Sequence, residues 1–292
     1  MATRWVRAAG RRSWGGWCPA LLLGIAAAGC APVASTTSYG MPNGGALFDG
    51  QQLPRRGDGF VLARPGDPTR YGTPTLVGAI ERALALVAER YPGTPPMRVG
   101  DLSSPGGGRH PRHGSHRSGR DVDLIFYATD RAGRTVQGRG WLAYDRLGVA
   151  RETNTPAGEG SGELFFFDTP RNWLLVRTLL ADEQALVQWI FCSRGVKARL
   201  LRYAADHEPD PEILARAATV LHQPSRGRSH NDHFHVRVLC TAEERQSGCR
   251  EYGPVWPWLR AAVEKPLPRE PEEHTDANLI RWLMEPLPED AG

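Results

Sequence analysis

The chain has 292 residues, of which 40% are hydrophobic and 23% are charged, so it can bury a core of ordinary size. Its formal net charge is only +4, and its arginines are spread along the whole sequence. A nucleic-acid-binding protein gathers its basic residues on one face or element. The small net charge and the dispersed arginines therefore argue against nucleic-acid binding.

The first 30 residues have the pattern of an export signal. Arginines between positions 4 and 12 precede a short apolar run over 20–28, which is too short to span a bilayer. Small residues then lead to Cys30, as in a bacterial lipoprotein signal, although Ala27 stands where leucine is usual. Lipidation of Cys30 predicts a periplasmic protein anchored to the outer membrane by this lipid alone, and plain secretory cleavage is the alternative.

The remaining cysteines are expected in an oxidising compartment. Cys240 and Cys249 lie nine positions apart around a polar turn and are predicted to form a disulfide. Cys192 lies in an apolar run and is predicted to be a buried free thiol. No cysteine has a CxxC spacing, so none is predicted to bind a metal.

The first half of the chain contains one clear helix. Residues 31–70 are rich in Gly, Pro, Ser and Thr and predict a tether followed by irregular wrapping. Apolar residues at helical spacing predict a helix from Thr75, which prolines at 92–96 end. Strands are predicted over 97–102 and 122–127.

The second half mixes helices and strands irregularly. After an insert over 133–162 without a readable motif, Thr169 as the N-cap and Pro170 in the first turn predict the start of a helix over 173–180. Strands are predicted over 187–192 and 233–239, and helices over 196–205 and 211–221. A Pro- and Glu-rich tail over 263–292 follows. The sequence therefore predicts an α+β domain over 71–262 with a small antiparallel sheet.

Two short segments contain six of the nine histidines. They are 109–123, with His110, His113, His116, Asp121 and Asp123, and 230–235, with His230, Asp232, His233 and His235. In a strand His233 and His235 share a face, whereas Asp232 points away from it. Imidazoles beside a carboxylate, without sulfur ligands, suit a catalytic zinc better than a structural one. Strand alternation does not choose between Asp121 and Asp123.

The spacing of His116 and Asp123, with His233 and His235 far downstream, resembles the zinc peptidases that include lysostaphin-type enzymes, D-Ala-D-Ala peptidases and the hedgehog fold. Within this group the chain is similar to the penicillin-insensitive murein endopeptidase family, in the stretches 71–77, 100–102, 113–123 and 230–237. The resemblance extends from about residue 39 to about residue 260. It implies a zinc site on a small antiparallel sheet flanked by helices.

The resemblance also implies which residues bind the metal. It implies one Zn²⁺ per chain, held by His116, Asp123 and His235, and so selects Asp123 over Asp121. It implies that His233 is the general base.

The resemblance implies that His113 and His230 contact the substrate, and it gives His110 no role. The implied substrate is peptidoglycan, cut at the cross-link between D-alanine and meso-diaminopimelate. A glutamate usual upstream of the His-x-His pair in carboxypeptidases of this group is absent here. A D,D- or L,D-carboxypeptidase and a catalytically inactive peptidoglycan-binding zinc module are the alternatives.

Overall fold

A computed structural model describes residues 36–138, 140–152, 162–225 and 227–264. The predicted signal over 1–30 with Cys30, and the tail from 265 onward, lie outside these ranges. Within the described ranges, no helix combines the length and the apolar character that crossing a membrane requires.

Short strands make up much of the described chain. They are β1 (Thr37–Tyr39), β2 (Ala46–Phe48), β3 (Gln51–Gln52), β4 (Arg56–Gly57), β5 (Phe60–Leu62), β6 (Tyr71–Gly72), β7 (Met97–Val99), β8 (Asp121–Ile125), β9 (Ala128–Thr129), β10 (Thr135–Val136), β11 (Val149–Arg151), β12 (Leu164–Phe167), β13 (Val187–Phe191), β14 (Leu221–His222) and β15 (His233–Val238).

Helices lie between these strands. They are α1 (Pro74–Arg90), α2 (Thr169–Ala181), α3 (Arg194–His207), α4 (Pro211–Val220), α5 (Ala242–Gln246) and α6 (Arg260–Val263), with a 3₁₀ turn at Pro257–Leu259. Every helix and strand predicted from the sequence is present within a few residues of its expected bounds. The α+β class is confirmed.

The central sheet is larger than predicted and is mixed rather than purely antiparallel. Its order is β14-β13-β15-β8-β7-β5-β4, and the pairs β13/β14 and β5/β7 are parallel. A parallel pair needs a long crossover connection. Here α3 and α4 connect β13 to β14, and α1 lies between β5 and β7, so these helices make the parallel pairings possible.

Alternation along β15 assigns the two faces of the sheet. Phe234, Val236 and Val238 are fully buried in the main hydrophobic cluster, which also contains the apolar side of α1. Successive side chains in a strand point to opposite faces. The side chains of His233 and His235 are therefore directed away from the helices, on one face of the strand as predicted.

The segment 36–70 differs from the irregular wrapping predicted for it. It contains β1 to β5, and β5 extends the central sheet by pairing with β7. The insert likewise supplies β10 and β11 to a four-stranded sheet of order β10-β9-β12-β11, while 153–161 lie outside the described ranges. Both segments therefore belong to the fold.

Three local predictions can be compared directly. Cys240 and Cys249 form the predicted disulfide, and Cys192 is a buried free thiol. The predicted cap of α2 is wrong by one residue. The carboxylate of Asp168, not Thr169, accepts the hydrogen bond from the backbone of Arg171 at 3.2 Å, because the helix begins one residue earlier than the position of proline suggested.

Candidate metal centre

Antiparallel pairing of β8 with β15 brings the two histidine-rich segments together. In this register His235 lies opposite Asp123, and Arg237 lies opposite Asp121. The β-carbons of directly opposed residues are about 5 Å apart. All four side chains are buried, so the pairing places two carboxylates beside the second segment.

His116 reaches the same place through a tightly held turn. Gly119 has a φ of +76°, and a β-carbon there would lie 2.6 Å from the side chain of Leu47. Ser103 Oγ donates to the carbonyl of His116 at 2.7 Å and accepts from the amide of Gly119 at 2.8 Å. His116 itself has a φ of +60°. The chain therefore turns back at Gly119, and this turn holds the buried His116 ring inside the protein.

Imidazole nitrogens converge on the carboxylate of Asp123. Its Oδ1 lies 3.3 Å from His116 Nε2, 3.4 Å from His233 Nε2 and 3.8 Å from His235 Nδ1. Its Oδ2 lies 3.4 Å from His113 Nε2. Ligands about 2.0–2.1 Å from a tetrahedral zinc are about 3.3–3.4 Å from one another. The separations from His116, His233 and His113 match this spacing, and that from His235 is 0.4 to 0.5 Å longer.

Buried polar atoms without hydrogen-bond partners support this interpretation. Both oxygens of Asp123 and both ring nitrogens of His116 are buried and make no hydrogen bond. Such groups are rare in a folded protein unless something else satisfies them. The donor set of imidazole nitrogen and carboxylate oxygen suits zinc and related divalent ions, so the residues fit the implied metal.

Within the described ranges, one group of potential metal ligands includes His113, a residue that the resemblance implies contacts the substrate. Ligand atoms of His113, His116 and Asp123 all lie within 4.8 Å of one another. His235 is not part of this group, although its Nδ1 faces Asp123. Nε2 of His113 also lies 2.8 Å from Asp101 Oδ2, so this nitrogen faces the carboxylates of both Asp101 and Asp123.

Asp121 connects both histidine-rich segments, a role that sequence reasoning missed. Its Oδ1 accepts from His235 Nε2 at 2.9 Å and from Arg237 Nε at 2.7 Å. Its Oδ2 accepts from the backbone amide of His116 at 3.2 Å. Since Nε2 of His235 carries the proton in this hydrogen bond, Nδ1 has the free lone pair that faces Asp123. Strand alternation did not distinguish Asp121 from Asp123, but their contacts do: Asp123 faces the imidazole nitrogens, and Asp121 accepts hydrogen bonds from behind His235.

Asp101 holds the other side of the site, and sequence reasoning missed it as well. This buried carboxylate accepts from Arg112 at 2.6 and 2.9 Å, from Thr69 at 3.0 Å and from His113 at 2.8 Å. Arg64 lies 3.3 Å from it. Asp101 is in one of the stretches that carry the family resemblance, which is the signal that could have singled it out.

Asp232 and Trp141 flank His233. Asp232 Oδ1 accepts from His233 Nδ1 at 2.6 Å, so this aspartate contacts the ring although it was expected to point away. The ring of Trp141 stands edge-on to His233 with 5.0 Å between centroids. His230 lies 5.1 Å from His233 and 5.4 Å from His235 by the same measure. Trp141 belongs to the insert without a motif, so no sequence pattern singles it out.

Burial keeps several of these imidazoles neutral. Desolvation lowers the pKa of His235 to about 3 and the pKa of His230 to about 4. The pKa of His110 also falls to about 4, mainly through desolvation and then through the nearby His116. A neutral imidazole is the form that binds a metal.

Carboxylates outweigh burial at His233 and His116. Burial alone would lower the pKa of His233, but Asp123 and Asp232 raise it to about 10. Asp123 likewise raises the pKa of His116 against the effect of burial. Burial would raise the pKa of Asp123, yet His116 and His233 hold it well below its usual range. The cluster therefore keeps Asp123 ionised.

His110 is packed beside the cluster. Its ring centroid lies 4.9 Å from that of His113 and 5.5 Å from that of His116. Its Nδ1 accepts from the backbone amide of Arg112 at 3.2 Å. No role was predicted for His110, and its observed hydrogen bond is one that supports the loop.

The part of the chain that contains this site is similar to known proteins. A family model described as penicillin-insensitive murein endopeptidase matches residues 38–258. The penicillin-insensitive murein endopeptidase of Haemophilus influenzae is 28% identical over 232 residues, which cover 77% of this chain and 71% of the relative. The protein of that name from Klebsiella pneumoniae is 26% identical over 255 residues, covering 87% and 84%. That of Escherichia coli O157:H7 is 25% identical, covering 87% and 79%.

The matched span contains both histidine-rich segments, the strands that carry them, the disulfide and the turn that holds His116. It accounts for well over half of the chain. The chain therefore belongs to the penicillin-insensitive murein endopeptidase family.

Proposed function

We propose that this protein is a zinc-dependent endopeptidase that hydrolyses the cross-links of murein between D-alanine and meso-diaminopimelate. The observation that carries the proposal is the convergence of imidazole nitrogens on Asp123 at 3.3 to 3.8 Å. Membership of the family, and the printed names of the relatives, support murein as the substrate.

The proposed ligands are His116, Asp123 and His235. Catalytic zinc sites have three protein ligands and one open position, whereas four protein ligands are typical of structural sites. Nε2 of His113 donates to Asp101 at 2.8 Å, and a nitrogen that carries a proton has no lone pair for a metal. We therefore propose that His113 contacts the substrate, and on the family resemblance we propose the same for His230. When bound, zinc supplies a Lewis acid that lowers the pKa of water toward about 7 and polarises a carbonyl.

The experiment on His113 compares two alanine variants. His116→Ala is expected to lose high-affinity zinc binding, whereas His113→Ala is expected to retain it within a few-fold and to lose kcat/KM. Zinc affinity is measured by competition with a chromophoric chelator. A loss of affinity in His113→Ala as large as that in His116→Ala makes His113 a ligand.

His233 is proposed to move the proton. Asp232 accepts from Nδ1 at 2.6 Å, so Nε2 is the atom that can take a proton and pass it to the leaving amine. Asp123 is one of the carboxylates that raise the pKa of His233. When a cation shares the charge of Asp123, that effect is reduced and His233 returns toward the neutral form that a base requires.

Hydrolysis of purified cross-linked dimers tests the function. The wild type is expected to convert the dimer into two monomers, and His233→Ala is expected to lose about 100-fold or more in kcat while it still binds zinc. His207→Ala, on the exposed end of α3, is the matched control and should keep wild-type activity.

Two outcomes favour the alternatives. Release of terminal D-alanine from uncross-linked pentapeptides, with no cleavage of dimers, supports a carboxypeptidase. Zinc binding by a wild type that hydrolyses neither substrate supports an inactive peptidoglycan-binding module.

We also propose that the protein acts in the periplasm, where its substrate lies, and that it is held at the outer membrane by a lipid on Cys30. The support is the pattern of residues 1–30. Radiolabelled palmitate incorporated into wild type but not into Cys30→Ser tests the anchor; unlabelled wild type favours plain secretory cleavage.

A further inference from the structure

Arg64 lies at the rim of the candidate site, although no motif contains it. Its side chain is 36% exposed, and its Nη1 lies 3.3 Å from Asp101 Oδ2. The same Asp101 oxygen accepts from His113 at 2.8 Å. On its other side, the guanidinium lies 5.4 Å from the centre of the Trp141 ring. Arg64 is therefore connected to the site through Asp101 at one end and Trp141 at the other.

Trp141 is packed closely against the centre of the site. A β-carbon on Gly100 would lie 2.8 Å from the end of its indole and 3.0 Å from Cβ of Asp123. The same indole stands 5.0 Å from the ring of His233. The position of Trp141 is thus set by its contact with the backbone at Gly100, and it places Arg64 on the side of the site where His233 lies.

The charge of Arg64 is incompletely neutralised by its neighbours. Asp101 already accepts two hydrogen bonds from Arg112, at 2.6 and 2.9 Å, and a third from His113. The contact with Arg64 is the longest of these ion pairs. A second arginine, Arg98, is also close: after burial, Arg64 is the next cause of its lowered pKa.

We infer that Arg64 binds the carboxylate attached to the carbon that bears the leaving amine of the substrate. This inference rests on the proposed function, in which His233 passes a proton to that amine. The carboxyl carbon is about 2.5 Å from the amine nitrogen, so the two groups must be held by neighbouring residues. An arginine over an indole face keeps its N–H groups in the plane of the guanidinium, so those that do not face Asp101 can bind a second carboxylate.

The inference predicts which cross-links are cut. Diaminopimelate and D-alanine both carry a carboxylate next to the leaving amine. The ε-amine of lysine is attached to a methylene group and carries none. Arg64 therefore selects diaminopimelate cross-links over lysine cross-links, and the same contact would serve a carboxypeptidase that releases D-alanine.

A matched pair of substrates tests this. One is the cross-linked dimer with the free carboxylate at that carbon, and the other is the same dimer with a carboxamide there. The wild type is expected to prefer the acid by about 10- to 100-fold in kcat/KM, the range of a charge-assisted hydrogen bond. Arg64→Gln should cleave the two dimers equally, by losing rate on the acid alone.

Controls separate a lost contact from a lost fold. In Arg64→Gln the hydrogen bonds of Asp101 to Arg112, His113 and Thr69 remain, so the site should stay assembled. Arg82→Gln removes another partly exposed arginine, which lies on α1 and pairs with Asp182 at 2.7 Å. This variant should keep the wild-type preference for the acid. Arg64→Lys should keep part of it.

Each result has one consequence. Arg64→Gln that still prefers the acid, or a wild type that cleaves acid and amide equally, overturns the inference and leaves the proposed function intact. A wild type that cleaves neither dimer overturns both. If only pentapeptides are cut, comparing those ending in D-alanine and in D-alaninamide decides the role of Arg64 in the same way.

Discussion

The Nε2 proton of His235 is donated to Asp121 Oδ1 at 2.9 Å, which turns Nδ1 of the same ring toward Asp123. Metal-binding histidines commonly donate their second nitrogen to a carboxylate in this way, and the carboxylate fixes the tautomer and the ring orientation. Asp121 also accepts from the backbone of His116. One buried carboxylate thus positions two of the proposed ligands.

We predict that Asp121→Asn raises the zinc dissociation constant by about 10- to 100-fold, because the partner of His235 loses its charge. Competition with a chelator measures the constant, and the visible absorption of the cobalt-substituted protein reports the ligand geometry. Near-ultraviolet circular dichroism confirms that the variant is folded. Asp130→Asn removes an exposed ion pair with Arg134 and serves as the control. An unchanged dissociation constant in Asp121→Asn would exclude the positioning role.

Gly100→Ala should destabilise the protein by about 1–3 kcal/mol, because its β-carbon would meet the indole of Trp141 at 2.8 Å and Asp123 at 3.0 Å. Gly106→Ala is the control, since a β-carbon there has nothing within 4 Å; its effect should stay within about 0.5 kcal/mol. Urea unfolding gives both free energies. Equal stabilities of the two variants would show that Trp141 is not packed as described.

Replacing both Cys240 and Cys249 by serine should lower the free energy of unfolding by about 2.5 kcal/mol, because a bridge across nine positions restricts the unfolded chain. Zinc affinity should not change, since both cysteines follow β15 and neither is among the proposed ligands. Urea unfolding under non-reducing conditions measures the difference. A variant as stable as the wild type contradicts a stabilising bridge.

Cys192 should be inert in the folded protein. Its side chain is fully buried, and burial raises the pKa of its thiol to about 12. Because the thiolate is the reactive form, iodoacetamide at pH 8 should leave Cys192 unmodified in the native state and alkylate it in urea. Mass spectrometry of the peptide that contains Cys192 measures the modified fraction. Similar rates in the two states would place this thiol at the surface.

The elements with strong periodicity were predictable from the sequence, and the weakly patterned ones were not. Helix α1 and strand β15 follow directly from the spacing of their apolar residues. Strands β4 and β5 are two and three residues long and lie in a stretch rich in turn-forming residues. Such strands form because partners distant in sequence, here β7, complete their hydrogen bonds.

The same distinction applies to the candidate site. His116, Asp123, His233 and His235 stand in segments whose composition is unusual, and the family resemblance gave each a role. Residues brought to the site by tertiary packing left no such signal. Arg64 comes from the wrap before β6, and Trp141 comes from the insert before β11. The contact of Trp141 with His233, and of Arg64 with Trp141, depends on how these two segments fold over the sheet.

Metal dependence of dimer hydrolysis tests the central proposal most directly. Purified cross-linked murein dimer is incubated with the mature protein before chelation, after removal of metal, and after addition of one equivalent of zinc. We predict that chelation abolishes cleavage of the D-alanyl-diaminopimelyl bond, that zinc restores it, and that His116→Ala shows neither zinc binding nor cleavage. Cleavage that continues at the same rate in the metal-free protein, or in His116→Ala, would contradict a metal centre at Asp123.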